Sequence, residues 1–314
     1  MKILETIEKS WNPSIITVGV FDGVHRGHQE IFRKLIEEGN KKGYEKIVFT
    51  FKNHPLNIID SALRPPLLTT FEEKFEIIRS FSVDTMIAIE FDRHFADLNA
   101  EDFIRSILLE KLNMKELILG YDATFGRNKA GTVEHIMEYG KLMNFSVHVL
   151  EPAYSDGEII KSSLIRYYLL KGDVKKVATL TGRFYRLTGR VVRGEGRGHK
   201  YGFPTTNLEI SSEKLLPLKG VYAARVYYSG QVLSGIINIG NKPTFGVHDI
   251  SIEVFILNFS SDLYGAYLTV ELLDFIREER KFYDREELYS QVREDIKKAE
   301  IILSLHINSL EVKK

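Results

Sequence analysis

The sequence has no cysteine among its 314 residues, which excludes disulfides and thiolate zinc sites and fits a reducing compartment. It also lacks any run approaching the roughly 18–20 apolar residues of a membrane-spanning helix. The N-terminus has no secretory pattern, because Lys2, Glu5, Glu8 and Lys9 interrupt its apolar residues. These absences predict a cytoplasmic protein that does not contact a membrane.

An excess of charge of one sign is also missing, because 43 basic residues balance 43 acidic ones. Nucleic-acid binders usually carry a basic excess, so we expect no nucleic-acid partner, and nothing in the sequence implies an obligate protein partner. The apolar fraction of 44% and charged fraction of 27% are typical of globular proteins. Single cores stop growing at about 250–300 residues, which favours two domains.

Apolar strands and amphipathic helices alternate along the first half. Strands are predicted at 15–21, 46–51, 85–90, 116–120 and 145–150, and helices at 27–38, 71–81, 100–112, 131–143, 162–170 and 174–181. This alternation predicts an α/β, Rossmann-like domain with a parallel sheet and right-handed crossovers. Ligands of such sheets bind at the carboxyl ends of the strands.

The pattern changes after Gly182. Segments rich in β-branched and aromatic residues occur at 186–192, 220–228, 231–239, 251–259 and 267–276. Turn residues separate them, so we expect a small antiparallel barrel or sandwich. Asp284, with Glu287 three residues later, predicts the start of a last helix ending near residue 305. The predicted domains are 1–182 and 183–314.

The segment 19–29, GVFDGVHRGHQ, leaves a strand and enters a helix. Gly23 and Gly27 allow a tight turn, and the start of the helix offers N–H groups that suit a phosphate. His25 and His28 would share one face there. Taken alone, the two histidines could be ordinary surface residues or a pair of metal ligands. No third histidine and no cysteine completes a zinc set in this region.

This segment resembles the signature of the nucleotidyltransferase superfamily, whose His-x-Gly-His holds ATP phosphates. In that chemistry an acceptor phosphate attacks the α-phosphorus of ATP and pyrophosphate leaves, so the protein mainly positions groups and stabilises charge. The resemblance makes His28 catalytic and implies that ATP contacts Gly19, Phe21, Asp22, Gly23, His25, Gly27 and His28.

Three further segments follow strands or open a helix: TFKNHP at 50–55, GYDATFG at 120–126 and KSSLIR at 161–166. Ser162 and Ser163 can donate to phosphates, and Arg166 can neutralise pyrophosphate. Taken singly, each serine could be an ordinary helix cap and Arg166 a solvated surface charge. Their shared position at the edge of the sheet where ligands bind favours a binding site.

The segment 189–207 holds Gly194, Gly196, Gly198 and Gly202 among basic residues, a composition that suits a flap over phosphates or simply a basic loop. It is not a Walker loop, because no Gly-Lys-Ser/Thr ends it. The stretch 204–207, PTTN, offers hydroxyl and amide oxygens, which are hard ligands suited to Mg²⁺.

The stretch 204–207 closely resembles the riboflavin kinase signature, and the whole chain is similar to the bacterial bifunctional riboflavin kinases/FMN adenylyltransferases, or FAD synthetases. The resemblance implies that the antiparallel barrel phosphorylates riboflavin to FMN with ATP. The N-terminal nucleotidyltransferase domain would then convert FMN and ATP to FAD and pyrophosphate. It also implies Mg²⁺ as cofactor and FMN and FAD as product ligands.

The same resemblance assigns the remaining residues. Glu253 would be the general base that takes the proton of the ribityl 5′-hydroxyl; without the resemblance we would interpret it as an ordinary strand carboxylate. The kinase ATP site would comprise Gly194, Gly196, Gly198, Gly202, Thr205 and Asn207, of which Thr205 and Asn207 would also hold the metal. Flavin would contact His54, Asp122, Phe125, Asn238, Phe245 and Arg277.

The chain departs from the family pattern at several positions. Asn53 stands where proline is usual, Ala123 where phenylalanine is common, Lys161 at the first serine of a serine-rich run, and Phe255 at a common histidine. These changes bear on affinities and rates rather than on reaction type. Two rival functions stay open: nucleotidyl transfer to a different phosphate, and a flavin or nucleotide sensor without ATP turnover.

Overall fold

The computed structural model describes residues 1–60, 64–193, 203–241 and 250–311, with side chains up to residue 306. The described contacts divide the chain into two units, Met1–Leu164 and Ile165–Lys314. The domain boundary at residue 182 stays a prediction.

The first unit is built on a six-stranded sheet with the order β1-β4-β3-β2-β5-β6, and every described pair is parallel, as predicted. Its strands are β1 (Lys2–Leu4), β2 (Ser14–Val18), β3 (Glu45–Phe51), β4 (Thr85–Ile89), β5 (Met114–Gly120) and β6 (Ser146–Leu150). Strand β1 was not predicted, because three residues are too few to show a periodic pattern.

Helices connect these strands. They are α1 (Arg26–Lys42), α2 (Leu56–Ile59), α3 (Phe71–Arg79), α4 (Arg93–Asp97), α5 (Ala100–Asp102) and α6 (Val133–Met143). A π-helical stretch, Phe103–Leu109, continues α5, and a 3₁₀ turn spans Arg127–Lys129. A two-stranded ribbon follows β6, formed by β7 (Tyr154–Ser155) and β8 (Glu158–Ile159).

Hydrophobic residues cover both faces of the sheet. Side chains alternate along a strand, so on β2 Ile15 joins one core cluster and Ile16 the other. Phe32 and Leu35 of α1 belong to the cluster of Ile15. Strands covered on both faces show continuous apolar runs, which is why the sequence predicted a buried sheet.

The second unit contains a closed antiparallel barrel with the strand order β10-β13-β12-β11-β14-β9, which resolves the choice between barrel and sandwich. Its strands are β9 (Tyr185–Val192), β10 (Thr206–Ile210), β11 (Gly220–Tyr228), β12 (Gln231–Asn241), β13 (Ile250–Ile256) and β14 (Tyr267–Arg277). Strand β10, which sequence reasoning missed, joins β9 to β13 and closes the barrel.

Three helices complete the chain: α7 (Ser162–Leu170), α8 (Val174–Thr181) and α9 (Arg285–Glu311). Helix α9 packs Ala299 and Leu303 against Val221, Ile236 and Leu273 of the barrel wall. Among the helices of the described ranges, none is both long enough and apolar enough to cross a membrane.

Candidate active sites

The turn between β2 and α1 is built on unusual backbone angles. The φ angles of Phe21, Gly23 and Val24 are 51°, 77° and 35°. The φ angle of Gly23 favours glycine, and a Cβ there would lie 2.9 Å from the Leu68 Cδ1 atom, so the Leu68 side chain would have to shift. Positive φ angles at bulky residues are costly and concentrate at functional sites. The turn thereby brings the start of α1 next to the end of β2.

His25 and His28 meet at the start of α1. His25 is the N-cap, and its Nδ1 atom accepts a 3.4 Å hydrogen bond from the backbone N–H of His28. The two rings stack with centroids 3.6 Å apart, and the Phe21 ring packs edge-on against His28 at 5.2 Å. The pair therefore occupies the positive end of a 17-residue helix, which favours binding of an anion.

Asp22 has a structural role in this turn. Its buried carboxylate accepts hydrogen bonds from the backbone N–H groups of Leu68, at 2.9 Å, and Thr69, at 3.1 Å. The backbone N–H of Gly23 donates in return to the Thr69 hydroxyl at 3.1 Å. Asp22 therefore fastens the segment before α3 to the glycine turn, and its predicted contact with ATP stays a prediction.

The start of α7 reaches the same turn. The Ser162 hydroxyl donates a 3.0 Å hydrogen bond to the carbonyl oxygen of Asp22. Gly27 is also close, because a Cβ there would lie 3.7 Å from the Ile160 carbonyl oxygen. Ser163 is exposed, and Arg166 lies half-buried on the next turn of α7. The structure thus brings the glycine turn and Ser162 together, as the sequence led us to expect of one site.

The residues predicted for flavin in the first unit follow strands β3 and β5. The His54 Nδ1 atom accepts from the backbone N–H of Leu56 at 3.2 Å. Phe125 packs its ring against Phe103 at 5.6 Å. Asp122 is exposed, and burial together with the Asp122 charge raises the pKa of Tyr121.

Sequence reasoning missed a group of basic residues beyond β3 and β4. A cavity of about 600 Å³ is lined by Asn57, Ile58, Arg64, Asp92, Arg93 and His94. Arg93 and His94 closely follow the carboxyl end of β4, and the rule that selected the segment after β3 could have found them.

Asn53 connects two strand ends. Its Nδ2 atom donates to the Phe91 carbonyl oxygen at 2.9 Å, and the Phe91 N–H donates to Asn53 Oδ1 at 2.8 Å. We expect Asn53→Ala to lower the free energy of unfolding by about 1–3 kcal/mol, because both backbone groups lose their partner. Urea unfolding measures this change. Asn40→Ala is the control for a solvent-exposed contact, because the Asn40 amide oxygen accepts a hydrogen bond from Lys46 at the surface. Equal losses in the two variants would contradict the prediction.

The barrel carries a row of polar side chains across three strands. Asn207 of β10 lies opposite Glu253 of β13, which lies opposite Asn238 of β12. Directly opposed residues of antiparallel strands share one face, so these three side chains stand side by side. Val254 and Ile252 flank Glu253 on β13 and are buried, whereas Glu253 is half-buried. The row therefore lies on the face of β13 opposite to these apolar neighbours.

Two hydroxyl groups hold the Glu253 carboxylate. Thr205 Oγ1 donates to its Oε2 atom at 3.2 Å, and Ser251 Oγ lies 3.2 Å from its Oε1 atom. Ser251 Oγ also lies 3.4 Å from Asn207 Oδ1. Since a hydroxyl has one proton, Ser251 can donate to only one of these two oxygens at a time. These two hydroxyl contacts orient the carboxylate.

A series of neighbouring aromatic rings begins on the same face of β13. Phe255 lies two residues after Glu253 and therefore shares its face of β13. The Phe203 ring lies 5.8 Å from Phe255 and 6.1 Å from Tyr289 of α9. Sequence reasoning assigned neither Phe203 nor Tyr289 to the site, although Phe203 directly precedes the recognised segment 204–207.

Arg277 has a firm structural partner. Its Nε atom donates to both carboxylate oxygens of Asp295, at 3.1 and 2.9 Å, and Asp295 is buried. Its guanidinium also lies 5.6 Å from the centroid of the Phe282 ring. These contacts attach the end of β14 to α9, and flavin contact by Arg277 stays a prediction.

Five predicted residues, Gly194, Gly196, Gly198, Gly202 and Phe245, lie outside the described residues. Within the described ranges, no group of three or more histidine, aspartate or glutamate side chains could hold a metal ion. Thr205 and Asn207 nevertheless supply a hydroxyl and an amide oxygen two residues apart on the chain. This donor set fits Mg²⁺, which uses few protein ligands when phosphate oxygens supply others.

These features define two units of separate chemistry: a nucleotidyltransferase-type α/β unit and a kinase-type barrel. Residues 7–164 match the family model of FAD synthetase, and residues 181–303 match that of riboflavin kinase. The chain belongs to the family of bifunctional riboflavin kinases/FMN adenylyltransferases.

Curated relatives of that name cover nearly the whole chain. The Buchnera aphidicola protein from Acyrthosiphon pisum is 33% identical over 98% of this chain and 100% of its own length. The Escherichia coli protein is 34% identical over 90% of both chains, and the Bacillus subtilis protein is 33% identical over 93% of both. A crystal structure named as a macrolide-efflux protein from Streptococcus pneumoniae has a TM-score of 0.85 and 29% identity, covering 94% of this chain and 97% of its own.

Proposed function

We propose that this chain makes FAD from riboflavin in two ATP-dependent steps. The second unit phosphorylates riboflavin to FMN, and the first unit transfers the adenylyl group of a second ATP to FMN. The observation that carries this proposal is the match of both halves, in the same order, to curated relatives that combine the two activities. The predicted cytoplasmic location suits an enzyme that consumes ATP twice.

The kinase step uses the polar row of the barrel. The Glu253 carboxylate takes the proton of the ribityl 5′-hydroxyl while that oxygen bonds to the γ-phosphorus of ATP. The bond between the γ-phosphorus and its bridging oxygen breaks, and ADP leaves. Thr205 and Ser251 keep the carboxylate oriented, since their hydroxyls lie 3.2 Å from its two oxygens.

The adenylyl step uses the turn between β2 and α1. A phosphate oxygen of FMN bonds to the α-phosphorus of ATP, the bond to the β-phosphate bridging oxygen breaks, and pyrophosphate leaves. The start of α1 and the His28 ring stabilise the charge on the phosphates. His25 keeps this helix start in place as its N-cap.

Both steps would use Mg²⁺, which neutralises phosphate charge when it is bound. In the kinase unit Thr205 and Asn207 would hold it, because the Thr205 hydroxyl contacts the Glu253 carboxylate and Asn207 lies opposite Glu253 in the strand register. In the first unit we assign no protein ligand.

A time course tests the proposal. Purified protein is incubated with riboflavin, ATP and Mg²⁺, and the flavins are separated by chromatography. We expect FMN first and FAD later, FAD directly when FMN is supplied, and neither product with excess EDTA. FMN without FAD would overturn the adenylyltransferase assignment and leave nucleotidyl transfer to another phosphate, tested with phosphopantetheine and glycerol phosphate. Tight flavin binding without any product would favour the sensor.

A further inference from the structure

Lys74 is a buried lysine that the reaction scheme above does not use. It lies on α3, which begins with a capping box between Thr70 and Glu73, and only 6% of the residue is exposed. Burial of an ammonium group is costly unless hydrogen bonds compensate for its lost hydration. The hydrogen-bond partners of the Lys74 ammonium therefore indicate why a lysine occupies this buried position.

All three protons of the Lys74 ammonium have an acceptor. The Nζ atom donates to the carbonyl oxygen of Phe51 at 2.6 Å, to that of Val20 at 3.2 Å and to Thr50 Oγ1 at 3.3 Å. The Thr50 hydroxyl itself donates to the Val20 carbonyl oxygen at 3.2 Å. Three donors thus match three oxygens, and none of these oxygens carries a formal charge.

The acceptors lie at the carboxyl ends of two neighbouring parallel strands. Val20 belongs to the glycine turn after β2, five residues before His25. Thr50 and Phe51 end β3, directly before the segment that contains His54. Lys74 therefore joins the backbone that carries the phosphate-binding pair to the backbone that leads to the predicted flavin side. A shift of about 1 Å between reacting groups can cost on the order of 100-fold in rate.

We propose that Lys74 is a positioning residue for FMN adenylylation: its ammonium fixes the glycine turn relative to the end of β3 and so aligns ATP with the acceptor phosphate. This inference rests on the proposed function of the first unit. Lys74 acts through the Val20 and Phe51 carbonyls and does not touch the substrate itself.

The hydrogen bonds of Lys74 depend on its protonation state, so its positioning role should depend on pH. Burial lowers its pKa to about 8, while the charge of Asp22 opposes this shift. Of its other neighbours, Val20, Thr50 and Phe51 present groups that do not titrate in this range, and Glu73 on α3 is engaged in the capping box. A neutral amine has two N–H donors for three oxygens, so one hydrogen bond must be lost on deprotonation.

The experiment compares both reactions of the intact chain. We expect Lys74→Met to lower kcat/KM for FMN adenylylation by about 10- to 100-fold, mainly through kcat, and to leave riboflavin phosphorylation within about twofold of wild type. Arg79→Met, at an exposed position on the same helix, is the control and should leave both reactions unchanged. An unchanged adenylylation rate in folded Lys74→Met would overturn the proposal.

A pH profile of the wild-type protein decides the matter even if Lys74→Met does not fold. Adenylylation should decline above an apparent pKa near 8, as Lys74 loses its proton, while phosphorylation by the same sample should lack this decline. A flat adenylylation profile between pH 7 and 9, chosen as about one unit either side of that value, would refute the positioning role. Wild-type protein that makes no FAD at any pH would instead refute the proposed function.

Discussion

Glu253→Gln should abolish FMN formation while FAD formation from supplied FMN continues. General-base catalysis contributes about 100- to 10,000-fold, so the rate of riboflavin phosphorylation should fall by that factor. Glutamine keeps the shape of glutamate and one oxygen that can accept from Thr205 or Ser251, but it cannot take the proton of the 5′-hydroxyl. The fold of the barrel should therefore persist, and chromatography of the flavins measures the separate rates.

Glu209→Gln provides the matched control for this substitution. Glu209 is an exposed carboxylate on β10 outside the polar row, so both activities should stay within about twofold of wild type. If Glu253→Gln still formed FMN, Glu253 would not be the general base and would be only a strand carboxylate that two hydroxyls contact. Loss of both activities in folded protein would contradict the assignment of one reaction to each unit.

The sequence predicted the fold wherever an element was long enough to show its period. Strand β10 was missed because its residues were interpreted as a ligand-binding motif, although Leu208 and Ile210 alternate with polar neighbours as a strand requires. The π-helical stretch Phe103–Leu109 was predicted as a regular helix, because one extra residue per turn leaves no visible mark in a short apolar pattern.

Part of the first site followed from topology, since loops after parallel strands gather at one edge of the sheet. The contact of Ser162 with Asp22 agrees with that expectation. Other contacts could not be foreseen, because they join residues far apart in sequence: Asp22 binds Leu68 across 46 positions, and Arg277 binds Asp295 only once α9 has packed on the barrel. No local pattern encodes such a pairing.

His28→Ala should have the converse effect and lower FAD formation by about 100- to 1,000-fold. Removal of one hydrogen-bond donor that stabilises charge in the transition state usually costs that factor. Riboflavin phosphorylation should not change, because His28 belongs to the first unit. The substitution removes a ring that stacks on His25 and packs against Phe21, but it keeps the backbone N–H that donates to the His25 N-cap. The start of α1 should therefore persist.

Comparison with His25→Ala distinguishes a catalytic role of the histidine pair from a role in capping α1. This substitution removes the acceptor of the His28 N–H, so it should lower the free energy of unfolding by about 1 kcal/mol in addition to any loss of FAD formation. Leu142→Ala, at a position of α6 that is 81% exposed, should affect neither property. If His28→Ala destabilised the protein as much as His25→Ala and slowed both reactions, the pair would be a structural element of the turn. Loss of FAD formation alone would place the phosphate-binding role on the His28 ring, because its backbone contribution to the helix start is unchanged.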